Sequence, residues 1–366
     1  MRYILIIFII LLSLSAFAQK ASLKKDSLRT DSLQKALVKY TKLIEANPNN
    51  VNTYINRARV KIQLHNYIGS VEDNLKAIEL KAQTDTAYTN IGVAYSGLQN
   101  YPEAIKNFDK AIQLNPKMFK AYCFRGIANN SSHNYLAAIA DYDSAIAINP
   151  KFVDSYNYRG NIQRHLKKYD YAMHDYNKAI QLDSNNADAY FNRANIKYDL
   201  QEYKKAWYDY AKVIDLQPEN SHAFNASGNC KFALKDYKGA LVDYNTSIEL
   251  DPTNYNVFYH RASCRFQLDL YVEAIEDYTK VIQLNPKNAH AYCGRAHSYA
   301  RLNNFDLAIY DCDKAIELNP RYGEAFFRRG NFKQKVGDRT GACIDWVKAV
   351  GLNEPQATYN IAKYCK

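Results

Sequence analysis

The sequence predicts an all-α solenoid of helix-turn-helix units 34 residues long, and three observations predict it. Prolines recur on a fixed ladder: Pro48, Pro116, Pro150, Pro218, Pro252, Pro286 and Pro320 stand 34 residues, or a multiple of 34, apart. Tyrosine occurs 32 times against two tryptophans and three methionines, the bias expected when one position is copied many times. Within each period the apolar residues fall three and four apart, which is one face of a helix, and not two apart as on a strand. At 366 residues the chain is longer than a single core usually grows, yet no Ser/Gly/Pro-rich stretch divides it, and only 13 Gly and nine Pro are present. Stacked repeats resolve that conflict.

The first element in the chain reads as an export signal. Met1-Arg2 precedes an apolar run from Tyr3 to Leu14, followed by Ser15-Ala16-Phe17-Ala18-Gln19. A basic start, a short apolar core and an Ala-x-Ala ending predict a secretory signal over residues 1–18, cut after Ala18. The run falls short of the roughly 20 residues of a comfortable membrane span. A periplasmic or secreted protein is therefore expected, the alternative being an uncut N-terminal membrane anchor.

Residues 19–50 form an N-terminal segment whose second part, 33–50, carries the apolar spacing of half a unit (Leu33, Ala36, Tyr40, Ile44) before Asn47-Pro48. Nine complete units follow without insertion over 51–356, and 357–366 is expected to be a capping helix. An aromatic opens each unit (Tyr54, Tyr88, Tyr122, Tyr156, Tyr190, Phe224, Phe258, Tyr292, Phe326), with Gly or Ala four residues later. A second aromatic column runs from Tyr67 to Phe305, an alanine column from Ala104 to Ala342, and a third aromatic column from Phe108 to Trp346. In the fourth unit these place helices near 153–166 and 169–182, with Lys167-Lys168 turning between them. Small residues facing large rings let two helices approach closely, and one hairpin can bury both faces only by stacking on its neighbours.

A unit of 34 residues with these aromatic, Gly/Ala, Ala-x3-aromatic and Pro landmarks resembles the tetratricopeptide repeat, over about 33–356. The resemblance implies a right-handed superhelical solenoid whose first helices line a concave groove for an extended peptide or a partner helix. The Lys with which some members clamp a C-terminal carboxylate is replaced here by Ile55, Thr89, Cys123, Asn157 and Phe191. A further column departs from the family: Arg57, Arg125, Arg159, Arg193, Arg261, Arg295 and Arg329 each precede an Asp by sixteen residues (Asp73, Asp141, Asp175, Asp209, Asp277, Asp311, Asp345). The second unit lacks both partners, holding Ile91 and Asn107, which predicts an Arg–carboxylate bridge between the two helices of a unit.

The net charge of +11 is spread over every repeat, which argues against a nucleic-acid reader. No phosphate-binding Gly loop, nucleophile elbow or His-Glu-x-x-His is present, so no enzyme and no cofactor are expected. A protein-interaction scaffold of the cell envelope is the favoured function. An aromatic groove also stacks sugars, which makes a cell-wall glycan binder the alternative. Groove positions are those outside the core columns: Asn157, Asn161 and Arg164; Phe191, Asn195 and Tyr198; Asn225, Asn229 and Phe232; Tyr259, Ser263 and Phe266. Asn161, Asn195 and Asn229 share a column and read as a ladder offering donor and acceptor to a peptide backbone. His290, Cys293 and His297 lie on one helical stripe and are the candidate soft-metal ligands, although no fourth ligand accompanies them. Of seven cysteines, Cys343 and Cys365 are expected to pin the capping helix by a disulfide.

Overall fold

A computed structural model describes residues 28–80 and 84–365; the expected export signal and its expected cut after Ala18 lie outside them. Among the described residues there are twenty helices and no strand. Helix α1 covers 28–46, beginning before the expected half-unit. Then follow α2 (Val51–Gln63), α3 (Tyr67–Glu79), α4 (Asp85–Gly97), α5 (Tyr101–Leu114), α6 (Phe119–Ser131), α7 (Tyr135–Ile148), α8 (Val153–His165), α9 (Tyr169–Leu182) and α10 (Ala187–Asp199). The rest are α11 (Tyr203–Leu216), α12 (Ser221–Ala233), α13 (Tyr237–Leu250), α14 (Tyr255–Gln267), α15 (Tyr271–Leu284), α16 (Ala289–Arg301), α17 (Phe305–Leu318), α18 (Gly323–Lys335), α19 (Arg339–Val350) and α20 (Gln356–Tyr364). From α2 to α19 each repeat is one A helix followed by one B helix. The chain divides into two compact units, one ending at Ile196 and the other beginning at Lys197. Within each, successive helices pack as antiparallel hairpins and hairpin stacks on hairpin.

Local chemistry sets where the helices stop. The B helices close on Asn115, Asn149, Asp183, Gln217, Asp251, Asn285 and Asn319, with φ between −142° and −132° and ψ between 75° and 99°. That extended conformation is what a following proline imposes; Asp183, followed by Ser184, adopts it too, so the repeat holds the geometry without the proline. The A-to-B turns use a left-handed residue: His65, Gln99, His133, Lys167, Gln201, Lys235, Asp269 and Asn303 have φ between 58° and 63°, and only the ninth turn uses glycine, Gly337. In the fourth repeat the N–H of Lys168 bonds to the carbonyl of Gln163 at 2.8 Å, closing α8 as a Schellman turn.

The core repeats with the same period. Ala138, Ala172, Ala240, Ala274 and Ala342 are fully buried, and Tyr142, Tyr176, Tyr244, Tyr278 and Trp346 lie against the preceding A helix. A Cβ placed on Gly160 would come within 2.8 Å of the Tyr176 ring, which is why the column opposite the ring admits only the smallest residues.

Charge ties the helices together more extensively than the Arg column alone indicates. Arg159 donates Nε and Nη2 to Asp175 at 2.9 and 2.6 Å, and Nη1 to Asp143 of the preceding repeat. The equivalent forks join Arg57 to Asp73, Arg125 to Asp141, Arg261 to Asp277, Arg295 to Asp311 and Arg329 to Asp345. Arg193 and Asp209 belong to different units. A second cation, four residues after the Arg position, reaches the same carboxylate: Lys61 to Asp73, Lys197 to Asp209, Lys231 to Asp243, Arg265 to Asp277 and Lys333 to Asp345, at 2.6 to 3.0 Å. The backward arm also repeats, from Arg125 to Asp109, Arg261 to Asn245, Arg295 to Thr279 and Arg329 to Asp313. Where the Arg is missing, at Ile91 and Ser227, the residue sixteen places earlier is Leu75 or Ala211, neither of which can accept a hydrogen bond through its side chain.

The last helix begins at Gln356, one residue earlier than expected, because Pro355 occupies its N-cap and needs no donor. A disulfide joins Cys343 to Cys365, with Cα atoms 5.7 Å apart. Asn360 also donates to Asn331 at 2.7 Å, and Tyr364 lies 5.8 Å from the Trp346 ring.

Candidate functional site

The A helices of the C-terminal unit enclose a cavity of about 210 Å³. Tyr259, Ser263, Phe266 and Gln267 of α14 form one wall, His290, Cys293, Gly294 and His297 of α16 the floor, and Glu324 and Arg328 of α18 the other wall, with Tyr278 and Tyr322 completing it. The floor is low because two neighbouring columns are small there. The flanking repeats carry Tyr259-His260 and Phe327-Arg328 where this one has Cys293-Gly294. A Cβ at 294 would lie 2.5 Å from the Tyr278 ring, so a larger residue here would have to displace that ring.

The polar groups around the cavity are held in a chain. Arg328 donates through Nε and Nη2 to Glu324 Oε1 at 2.8 and 2.6 Å. The Tyr322 hydroxyl donates to Glu324 Oε2 at 3.2 Å and lies 2.9 Å from His290 Nδ1. Burial pushes the Glu324 carboxyl up, but Arg328 and Tyr322 outweigh it and hold it below the usual carboxylate range. Phe266 stacks at a tilt on His297, with ring centres 4.3 Å apart, and Arg301 lies over Phe266 and Tyr271. Burial, then the charges of Arg328 and Arg301, pull His297 down to about 4, so it is a neutral imidazole at neutral pH. Burial raises the Cys293 thiol to about 11 and keeps it protonated. The hydroxyls of Tyr259, Tyr278 and Tyr322 are likewise pushed up by burial.

The other expected groove residues do not all face open space. Asn157 is buried and donates to Asn186 at 3.1 Å, which ties α8 to the residue that precedes α10. Asn161 accepts the Tyr176 hydroxyl at 2.7 Å and Asn229 the Tyr244 hydroxyl at 2.9 Å, while Asn331 accepts the Trp346 indole N–H at 3.0 Å. This column therefore satisfies the polar ends of buried rings, and its carbonyls are spent inside the protein. Asn225 bonds His260, which burial pulls down. Arg164, Phe191 and Asn195 are half-buried in the N-terminal unit. Tyr198 and Phe232 pack edge-on against Tyr203 and Tyr237. His290, Cys293 and His297 share the cavity, yet among the described residues no three His, Cys, Asp or Glu side chains form a metal-binding group. A second cavity, of about 380 Å³ in the N-terminal unit, surrounds Arg159 and Asp175, whose charges are already paired.

Tetratricopeptide-repeat models match residues 86–118, 153–186, 187–220, 221–254, 255–288 and 289–322, more than half of the chain. The chain belongs to the tetratricopeptide-repeat family and is a protein-interaction scaffold; proteins of this repeat are in general non-enzymatic. Comparison with curated proteins found no match. Among solved structures, a tetratricopeptide repeat protein from Parabacteroides merdae is 20% identical with a TM-score of 0.52, over 68% of this chain and 99% of its own. The pilF protein of Pseudomonas aeruginosa is 21% identical with a TM-score of 0.51, over 59% and 97%. Both show the same helical-repeat fold. YrrB, described as a TPR protein with an unusual peptide-binding site, is 26% identical with a TM-score of 0.46, over 50% and 95%.

Proposed function

We propose that this protein is an exported scaffold of the cell envelope that holds a segment of a partner protein, extended or helical, on the A-helix face of its C-terminal unit. The observation that carries the reading is the ring-lined cavity between α14, α16 and α18. Tyr259 and Phe266 stay half-buried there, outside the alanine and aromatic columns that stack the repeats. Partly exposed aromatics beside hydrogen-bonding groups are what a peptide-binding groove supplies. The envelope location rests on the export signal pattern of residues 1–18. Selection from a short-peptide library on the mature protein tests the reading. Enriched peptides should bind the wild type and lose most of their affinity for a Tyr259→Ala/Phe266→Ala variant that melts normally. Binding of cell-wall glycan fragments with no peptide enrichment would reverse the choice in favour of a glycan binder.

A further inference from the structure

We propose that the cavity between α14, α16 and α18 receives the side chain of one tyrosine from the bound partner segment. This rests on the scaffold reading above and adds the kind of residue the groove selects. Size is the first argument. A cavity of about 210 Å³ is smaller than the ~300 Å³ at which small-molecule sites usually begin, and larger than the ~150 Å³ that holds a benzene ring. It has room for one aromatic side chain. The walls suit a ring, since Tyr259, Phe266, Tyr278, Tyr322 and the two imidazoles offer faces and edges.

Charge and hydrogen bonding narrow the guest further. Arg328 and Glu324 neutralise each other, so an ionised side chain would be desolvated without a counter-charge. Glu324 and the Nδ1 of His290 are engaged with Arg328 and Tyr322. His297 has no hydrogen bond among the described residues, and Arg328 uses Nε and Nη2 but not Nη1. A phenol is one donor and an acceptor. Its O–H can donate to the neutral His297 imidazole while its oxygen accepts from Arg328 Nη1. A phenylalanine ring leaves both protein groups unpaired, and an indole can donate but not accept.

The test uses p-cresol as the tyrosine side chain and toluene as the phenylalanine side chain, titrated into the full mature chain and followed by the histidine ring signals in NMR. Saturable p-cresol binding that moves His297, tighter than toluene by about five- to a hundredfold, is the expected result, the worth of two net hydrogen bonds. Cys293→Phe should fill the floor and abolish both ligands with the fold intact by circular dichroism. His297→Leu should keep the cavity and cut the preference for p-cresol over toluene by about three- to tenfold, the bond from Arg328 remaining, so it decides the matter if Cys293→Phe does not fold. Absence of p-cresol binding up to its solubility, equal binding of the two probes by the wild type, or indifference to His297→Leu overturns the proposal. If p-cresol fails while library peptides still depend on Tyr259 and Phe266, only the tyrosine receptor falls; if both fail, the scaffold site falls with it.

Discussion

Replacing Arg159 by Met should destabilise its repeat more than replacing Arg261 by Met, although the two arginines make the same fork. The difference lies four residues further on. Asp277 is held by Arg261 and also by Arg265, each at 2.7 Å, so one cation remains after Arg261→Met. Asp175 is 1% exposed, and its repeat has Gln163 at the second cation's position. Arg159→Met therefore strands a buried carboxylate. Removing one partner of a buried pair costs about 3–5 kcal/mol, whereas losing one of two charged hydrogen-bonding partners costs about 1.5–3 kcal/mol. The expected gap is about 2 kcal/mol. Because a repeat array opens locally, the fitting assay is native-state hydrogen exchange of α8 and α9 against α14 and α15, supported by urea denaturation. Arg159→Met/Asp175→Leu should recover most of the loss, since the stranded charge is gone. Equal costs for the two single substitutions, or a double variant as unstable as Arg159→Met, would refute the reasoning.

Other expectations concern the turns, the cap and acid. Lys235→Gly relieves a left-handed residue with φ of 63° and should stabilise by about 1 kcal/mol; Gly337→Lys at φ 90° should destabilise by at least as much, both read from thermal melts. Cys343→Ser/Cys365→Ser removes a link spanning 22 residues and should cost about 3 kcal/mol of cap stability, reported by Trp346 fluorescence in a Trp207→Phe background. An unchanged unfolding midpoint for α19 and α20 would show that packing alone holds the cap. His297 has a folded value of about 4 against an ordinary 6.5, so the unfolded chain takes up its proton first as the pH falls. Its contribution is full above pH 6.5 and lost towards pH 4, roughly 3 kcal/mol in all. His297→Gln should flatten the acid limb of the stability curve, and an identical limb in both proteins would contradict the burial of a neutral imidazole.

Much of this protein is legible in one dimension because a repeat writes each structural requirement nine times. The proline ladder places the helix ends, the alanine and aromatic columns place the core, and the absence of both Arg and Asp in the second unit exposes their pairing. The second cation column was legible too, at Lys61, Lys197, Lys231, Arg265 and Lys333, and so was the backward arm that ends at Leu75 and Ala211. Both escape a reading confined to one spacing. The left-handed turns were not legible, since six different residue types fill a position where only Gly337 signals its conformation.

The site divides in the same way. Periodicity alone states which columns stack the repeats, and therefore that Tyr259, Phe266 and His297 lie outside them. Whether a non-core residue is available depends on what its neighbours in space already hold, and that only the tertiary structure decides. Asn161 and Asn229 looked free as a ladder but are committed to the hydroxyls of Tyr176 and Tyr244, fifteen residues away in sequence and across the hairpin in space. The adjacent small residues Cys293 and Gly294 were visible in the chain, yet their consequence is a volume bounded by three repeats. Local preference repeats along the chain and can be read from it; a cavity is set by the one place where the repetition fails.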